Sequence, residues 1–243
     1  MKRNLYIIIV LLLMGKLSLA QNEVSKLEFG LGISPAMSWV NPSTKVVGRD
    51  GGSLNFGFGA RINYKLSDKY AIGFEVNLQN LGAKTHMDKV ITERDGIILP
   101  SNNFNLNYQL RYLEIPVVLK MHTELKGKTS YFGEFGGNIG WLLNQIADIK
   151  SDVFSIDKVN TELPEDGDKF KLYNPENANS EYLIQLNKIN LGLIFGGGIQ
   201  LHLDNNSKVE LGLRYRWGIT DIYKEDKWKG NNHAIALNIG FIF

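Results

Sequence analysis

Leu54-Asn55-Phe56-Gly57-Phe58-Gly59-Ala60-Arg61-Ile62-Asn63-Tyr64-Lys65-Leu66 decides the fold. Every even position is apolar, and the odd positions hold only Asn, Gly, Arg and Lys. Strict period-2 alternation predicts a β-strand, because successive side chains point to opposite faces. After Ser67-Asp68-Lys69 the pattern resumes, with Tyr70, Ile72, Phe74, Val76 and Leu78 against Ala71, Gly73, Glu75, Asn77 and Gln79. Two long strands joined by a tight polar turn predict a β-hairpin. One face carries bulky aliphatic and aromatic side chains; the other carries glycine and charge. A soluble lipid-carrying barrel has the opposite arrangement, so the pattern fits a barrel with hydrocarbon outside and a cramped polar interior.

Six more segments alternate in the same way. Leu27 to Trp39 precedes the hairpin, and Leu106 to Met121, Tyr131 to Leu143, Ile189 to Leu203, Val209 to Ile219 and Ile235 to Phe243 follow it. In the first of the later segments the apolar phase changes, from Leu106, Tyr108, Leu110 and Tyr112 to Leu113, Ile115, Val117, Leu119 and Met121. This predicts a β-bulge near Tyr112-Leu113, beside Pro116, which cannot donate to a ladder. The connections alternate long and short, the long ones being 41–53, 85–105, 146–186 and 221–231. The predicted fold is all-β, an eight-stranded antiparallel up-and-down transmembrane β-barrel with short periplasmic turns, long extracellular loops and both termini in the periplasm. Outward Trp39, Trp141 and Trp217 near the loop ends, and Tyr64, Tyr70 and Phe243 near the turn ends, sketch two aromatic girdles. A soluble β-sandwich would use strands of only about 5–6 residues.

The rest of the chain agrees with an envelope location. Residues 1–20 have the form of a secretory signal: Lys2 and Arg3, an apolar run from Leu5 to Met14, then Ser18-Leu19-Ala20 as cleavage site. Residues 21–243 are then the barrel. The absence of cysteine excludes disulfides and a lipidated cysteine anchor. Removing Lys2, Arg3 and Lys16 takes the net charge from +2 to −1, which excludes a general nucleic-acid binder with a basic face. No later stretch approaches the roughly 18 consecutive apolar residues of a membrane helix, so spanning falls to the strands.

Candidate functional residues lie on the inner face and in one loop. Arg61, Arg111, Arg214 and Arg216, with Lys65, Lys120 and Lys188, are expected to face Glu28, Glu75, Glu114, Glu134 and Glu210. The tight turn sets Arg61 opposite Glu75, and turn parity sets Arg214 opposite Gly196 or Gly198. Two readings stand: an ion-pair network plugging a lumen just wide enough for side chains, or a selective pore. Residues 146–186 hold nine acidic residues and four lysines, a net of −5, with Glu162, Glu165, Asp166 and Asp168 at their centre. Glu165-Asp166-Gly167-Asp168 lacks the spacing of a calcium loop, so the stretch is read as a solvated extracellular surface, or as a contact for a protein partner or for divalent cations bridging lipopolysaccharide. The four histidines lack metal-ligand spacing, no nucleophile motif occurs, and Gly196-Gly197-Gly198 lies mid-strand without a following Lys-Ser/Thr. No catalytic residue, cofactor or metal is expected.

At Tyr112-Leu113-Glu114-Ile115-Pro116-Val117-Val118-Leu119-Lys120 the chain resembles the PorT-like outer-membrane β-barrel family of Bacteroidota. Gly212 to Ile222, which reads GLRYRWGITDI, and the terminal aromatic residue add to the likeness. The resemblance covers essentially all of the chain after the signal and implies an outer-membrane location. Expected partners are outer-membrane lipid and lipopolysaccharide, the barrel-assembly machinery through the C-terminal strand, and a secretion or surface protein. The leading expectation is a structural or interaction barrel with a plugged lumen. Alternatives are an accessory role in type IX-like protein secretion, implied by the resemblance, and a small-solute channel.

Overall fold

The computed structural model describes residues 26–43, 47–87, 90–94, 97–101, 103–152, 155–159, 171–174, 177–182, 186–203, 207–224 and 229–243. The signal-like segment 1–20 lies outside them. Fourteen strands occur among the described residues: β1 (Leu27–Pro42), β2 (Gly48–Arg49), β3 (Ser53–Lys65), β4 (Tyr70–Met87), β5 (Val90–Arg94), β6 (Ile97–Ser101), β7 (Phe104–His122), β8 (Thr129–Ser151), β9 (Ser155–Val159), β10 (Lys171–Asn174), β11 (Asn177–Tyr182), β12 (Ile189–His202), β13 (Lys208–Asp221) and β14 (Gly230–Ile242). Eight of them, β1, β3, β4, β7, β8, β12, β13 and β14, pair antiparallel in that order. Pairing of β1 with β14 closes the ring. The hairpin of β3 and β4 has the expected register, with Arg61 opposite Glu75.

The outer face follows from its chemistry. Phe58, Phe74, Leu213 and Ile219 are roughly half exposed or more, as are most large apolar side chains of the wall. A soluble protein would not leave so much apolar surface in water. Closure gives every wall strand two neighbours, which satisfies the backbone groups that hydrocarbon cannot.

The wall is taller than the membrane needs. A tilted strand crosses with about 9–11 residues, whereas β7 has 19 and β8 has 23. Beyond the bilayer the two faces exchange character. On β4 the inner face runs Glu75, Asn77, Gln79 and then Leu81, Ala83, Thr85 and Met87. On β7 it runs Lys120, Val118, Pro116, Glu114 and then Tyr112, Leu110, Tyr108, Leu106 and Phe104, all buried, while Gln109 and Arg111 are exposed outside. The inner residues of β7 keep one parity from end to end, so the phase change at Tyr112-Leu113 is not a bulge in this strand. Its cause is the surroundings: hydrocarbon gives way to water outside, and the apolar face turns inward. The register shift beside Arg111 and Tyr112 places its extra residue, Leu143, on β8. There the inward set passes from Asn138, Gly140 and Leu142 to Gln145, Ala147 and Ile149.

The inward apolar side chains form an apolar cap at the loop end, joined by Val40, Leu186, Ile222 and Tyr223. Leu186 bridges to Tyr223 across the mouth. Asn187 Nδ2 donates to the carbonyls of Asp221 and Tyr223 at 3.0 and 2.9 Å. The stretches read as loops 85–105 and 146–186 also contain β-structure. The ends of β4 and β8 enter them, β9 pairs with β8, and β5, β6, β10 and β11 form a separate sheet in the order β11-β10-β5-β6. Ladder hydrogen bonds hold such strands whether or not one face is apolar, so alternation does not announce them.

Truncation separates the two wall environments. Leu110→Ala is expected to lower the unfolding free energy by about 2–5 kcal/mol, and Gln109→Ala to change it by less than about 0.5 kcal/mol. Denaturant titration of the protein folded into vesicles measures both; the reverse ranking would put the apolar face outside.

Candidate functional site

Below the apolar cap, charge fills the lumen. Its groups come from strands on all sides, because each inner parity delivers a side chain about every 6.6 Å along a strand. At the short-turn end Glu28 bridges Lys65 at 2.7 Å and Lys208 at 2.9 Å. Next, Glu210 accepts from Lys120 at 2.9 Å, from Gln200 at 2.9 Å and from Arg61 at 2.5 Å. Arg214 then stands between two carboxylates. Its Nη1 and Nη2 donate to Glu75 at 2.8 Å each, and its Nε and Nη2 donate to Glu134 at 2.7 and 3.0 Å. Nearest the cap, Arg216 pairs with Glu114, which also accepts from Asn138 Nδ2 at 3.2 Å. The Arg216 and Glu114 atoms approach closely without hydrogen-bond geometry, and a second Arg216 nitrogen reaches Gln79 at 3.3 Å.

Burial makes this arrangement demanding. The side chains of Arg214, Glu75, Glu134, Lys120 and Glu210 are all exposed by 2% or less. Each buried ion loses several kcal/mol of solvation, which only close, well-oriented counter-charges return. Glu75, Glu114, Glu134 and Glu210 match Arg61, Lys120, Arg214 and Arg216 one for one, and buried Lys208 is met by the less buried Glu28, so the paired charges balance. Arg214 uses four of the five N–H groups of its planar fork on carboxylate oxygens. Gly196, the cross-strand partner of Arg214, makes room for the Glu134 carboxylate, since a Cβ there would stand 2.7 Å from a Glu134 oxygen. Gly32 and Gly240 likewise flank the Arg61 guanidinium.

The structure redistributes several expected partners. Arg61 faces Glu75 in register but reaches across to Glu210, leaving Glu75 to Arg214. In so narrow a ring the opposite wall is as near as the neighbouring strand. Arg111 does not belong to the network. It lies outside, where its Nε donates to Asn80 at 3.1 Å, because β7 carries no bulge to turn it inward. Lys188 is also exposed. His202 is opposite Lys208, and Glu210 is opposite Gln200.

Tyr64, Tyr70, Trp141, Trp217 and Phe243 stand exposed on the outer face. Trp39 is half-buried among other rings. Glu162, Glu165, Asp166 and Asp168 lie outside the described residues. Lys208 escaped the sequence reading because it precedes the first apolar residue of its strand, although parity alone would have set it inside. Among the described residues, no group of three or more His, Cys, Asp and Glu could hold a metal ion. The chemical effect of the arrangement is mutual neutralisation.

Residues 19–224 match the model of a family described as the outer membrane protein beta-barrel domain. The chain belongs to that family. It is therefore an outer-membrane β-barrel. No curated protein matches the chain. Among solved structures it is similar to Neisserial surface protein A, at 13% identity and a TM-score of 0.42 over 91% of this chain and 98% of that one. It is similar to the outer membrane protein OprG from Pseudomonas aeruginosa, at 11% identity and 0.44 over 90% and 97%. A third similar structure is the outer membrane protease OmpT from Escherichia coli, at 9% identity and 0.44 over 89% and 95%.

Removing one member of the dry clamp exposes its cost. Arg214→Met leaves Glu75 and Glu134 facing each other and is expected to destabilise this outer-membrane barrel by about 3–5 kcal/mol. Lys65→Met, at the partly hydrated Glu28 pair, is expected to cost less than about 1 kcal/mol. Equal losses in denaturant titrations would remove the distinction between the two layers.

Proposed function

We propose that this protein is a non-conducting outer-membrane barrel with a structural or interaction role, displayed through its extended loop end. The observation that carries this reading is the double closure of the lumen. The ion-pair layer is dry and its paired charges balance, and the apolar cap above it is buried. A conducting pore needs a wetted path with sites that bind ions weakly enough to release them. Here the charges are committed to one another. The wall and second sheet that rise beyond the membrane supply a structured surface, with β6, β9 and β11 at sheet edges.

The likeness to PorT-like barrels supports a shared way of filling the lumen. Its two segments meet there: Glu114 of the first pairs with Arg216 of the second, although β7 and β13 are not neighbours in the ring. Glu114 and Arg216 are buried, so this pair supplies no surface for cargo or a secretion partner. An accessory secretion role would have to reside in the loop-end surface. Our reading also includes cleavage after Ala20 and periplasmic termini.

In planar bilayers the purified protein is expected to give no steady conductance, and a sustained ohmic current would overturn the closed-lumen reading. Because the chain has no cysteine, single cysteines report orientation cleanly. Cysteine replacing Asp157 is expected to react with a membrane-impermeant maleimide on intact cells, and cysteine replacing Asp68 only after lysis. The opposite result would invert the barrel. Loss of secreted protease activity on gene deletion, with conductance still absent, would move the interaction role to secretion.

A further inference from the structure

Outside the lumen, Arg49 has a setting that the ion-pair network does not explain. Trp39 of β1, His233 of β14 and Trp217 of β13 share one row across three adjacent strands. Trp39 stacks on His233 with centroids 6.0 Å apart and on Tyr215 at 6.5 Å. Tyr215 and His233 lie nearly parallel, and the Tyr215 hydroxyl is 3.0 Å from His233 Nδ1. Over this platform lies Arg49 of β2, its guanidinium carbon 5.1 Å from the Trp39 ring centroid. Arg49 is exposed, and among the described residues it has no carboxylate partner.

On β1 and β14 the row marks a boundary, with outward Met37 and Ile235 on its membrane side and Asn41 and Asn231 on its loop side. On β13 the outward residue beyond Trp217 is Ile219, still apolar. Aromatic rings take this position where hydrocarbon meets headgroups. A cation held there by a ring face lies at phosphate depth, and no described residue takes up its hydrogen-bonding edge. A planar guanidinium fork matches phosphate oxygens in a bidentate manner.

We propose that Arg49, seated on the Trp39–Tyr215–His233 platform, is a binding site for the phosphate of an anionic lipid headgroup. The site rests on the barrel lying in a membrane; it does not depend on whether the lumen conducts or which end faces outward. Charge complementarity selects the occupant. A neutral headgroup leaves the cation uncompensated, and the four rings offer a lipid chain an apolar wall just below.

The test uses the full-length barrel in nanodiscs of phosphatidylcholine containing a minor fraction of lipid A, which bears phosphate monoesters. Native mass spectrometry after detergent extraction counts retained lipid. Wild type is expected to keep lipid A in preference to phosphatidylcholine. Arg49→Gln and Arg49→Ala are expected to reduce that retention about fivefold, the contribution of one basic side chain at an anionic surface. Trp39→Leu is expected to reduce it as well. Lys69→Ala, at the opposite end and paired with Glu124, is expected to leave it unchanged. Gel mobility before and after heating verifies that each variant is folded. Unchanged retention in folded Arg49→Gln, an equal fall in Lys69→Ala, or equal retention of phosphatidylcholine by wild type would each overturn the proposal.

Discussion

The barrel depends on the clamp in which Arg214 holds Glu75 and Glu134 from opposite sides of a dry lumen. A ring of eight strands leaves an interior that side chains alone must fill. Filling it with apolar groups would make both faces of each strand apolar, and one-residue slips of register would then go unpunished. Charged groups that must meet particular counter-charges across the ring penalise such slips. Glycine completes the device, since Gly196 yields the space that the Glu134 carboxylate occupies. The alternation that announces the fold is the trace of this requirement.

Above the membrane the same wall obeys the ordinary logic of a soluble protein. The apolar cap buries Tyr108, Leu110 and Ile149, each worth roughly 1.5–3 kcal/mol when fully removed from water. The barrel therefore has two cores stacked along one axis. The lower is ionic because lipid already covers the apolar face; the upper is apolar because water does. Each β7 residue keeps its side of the wall while the medium beyond it changes.

This stacking bears on function. Both cores fill the lumen, and on the role we propose the molecule acts at its surfaces: the paired strands beyond the membrane and the aromatic row on the outer wall. Membership of the outer membrane protein beta-barrel domain family gives the location. In the segments 112–120 and 212–222, Glu114 and Arg216 fill the interior while Val117, Leu213 and Trp217 face outward.

Much of the ring was legible from residues alone. Alternation in Leu54 to Leu66 and its continuation after Lys69 determined the hairpin, its register and the inward direction of Arg61, Glu75, Glu134, Arg214 and Arg216, because parity is a local property of an extended chain. Partner choice was not legible. Arg61 lies opposite Glu75 yet pairs with Glu210, since distances across a closed ring depend on strands far apart in sequence. Arg111 was misplaced for a related reason. Alternation tells that two faces differ but not which medium each one meets, and that depends on height along the folded wall. The amino-acid sequence by itself thus determined the eight wall strands, the parity of their membrane-crossing parts and most of the inner charges. Only the tertiary structure decided where hydrocarbon ends, and with it which side of β7 is the inside of a core.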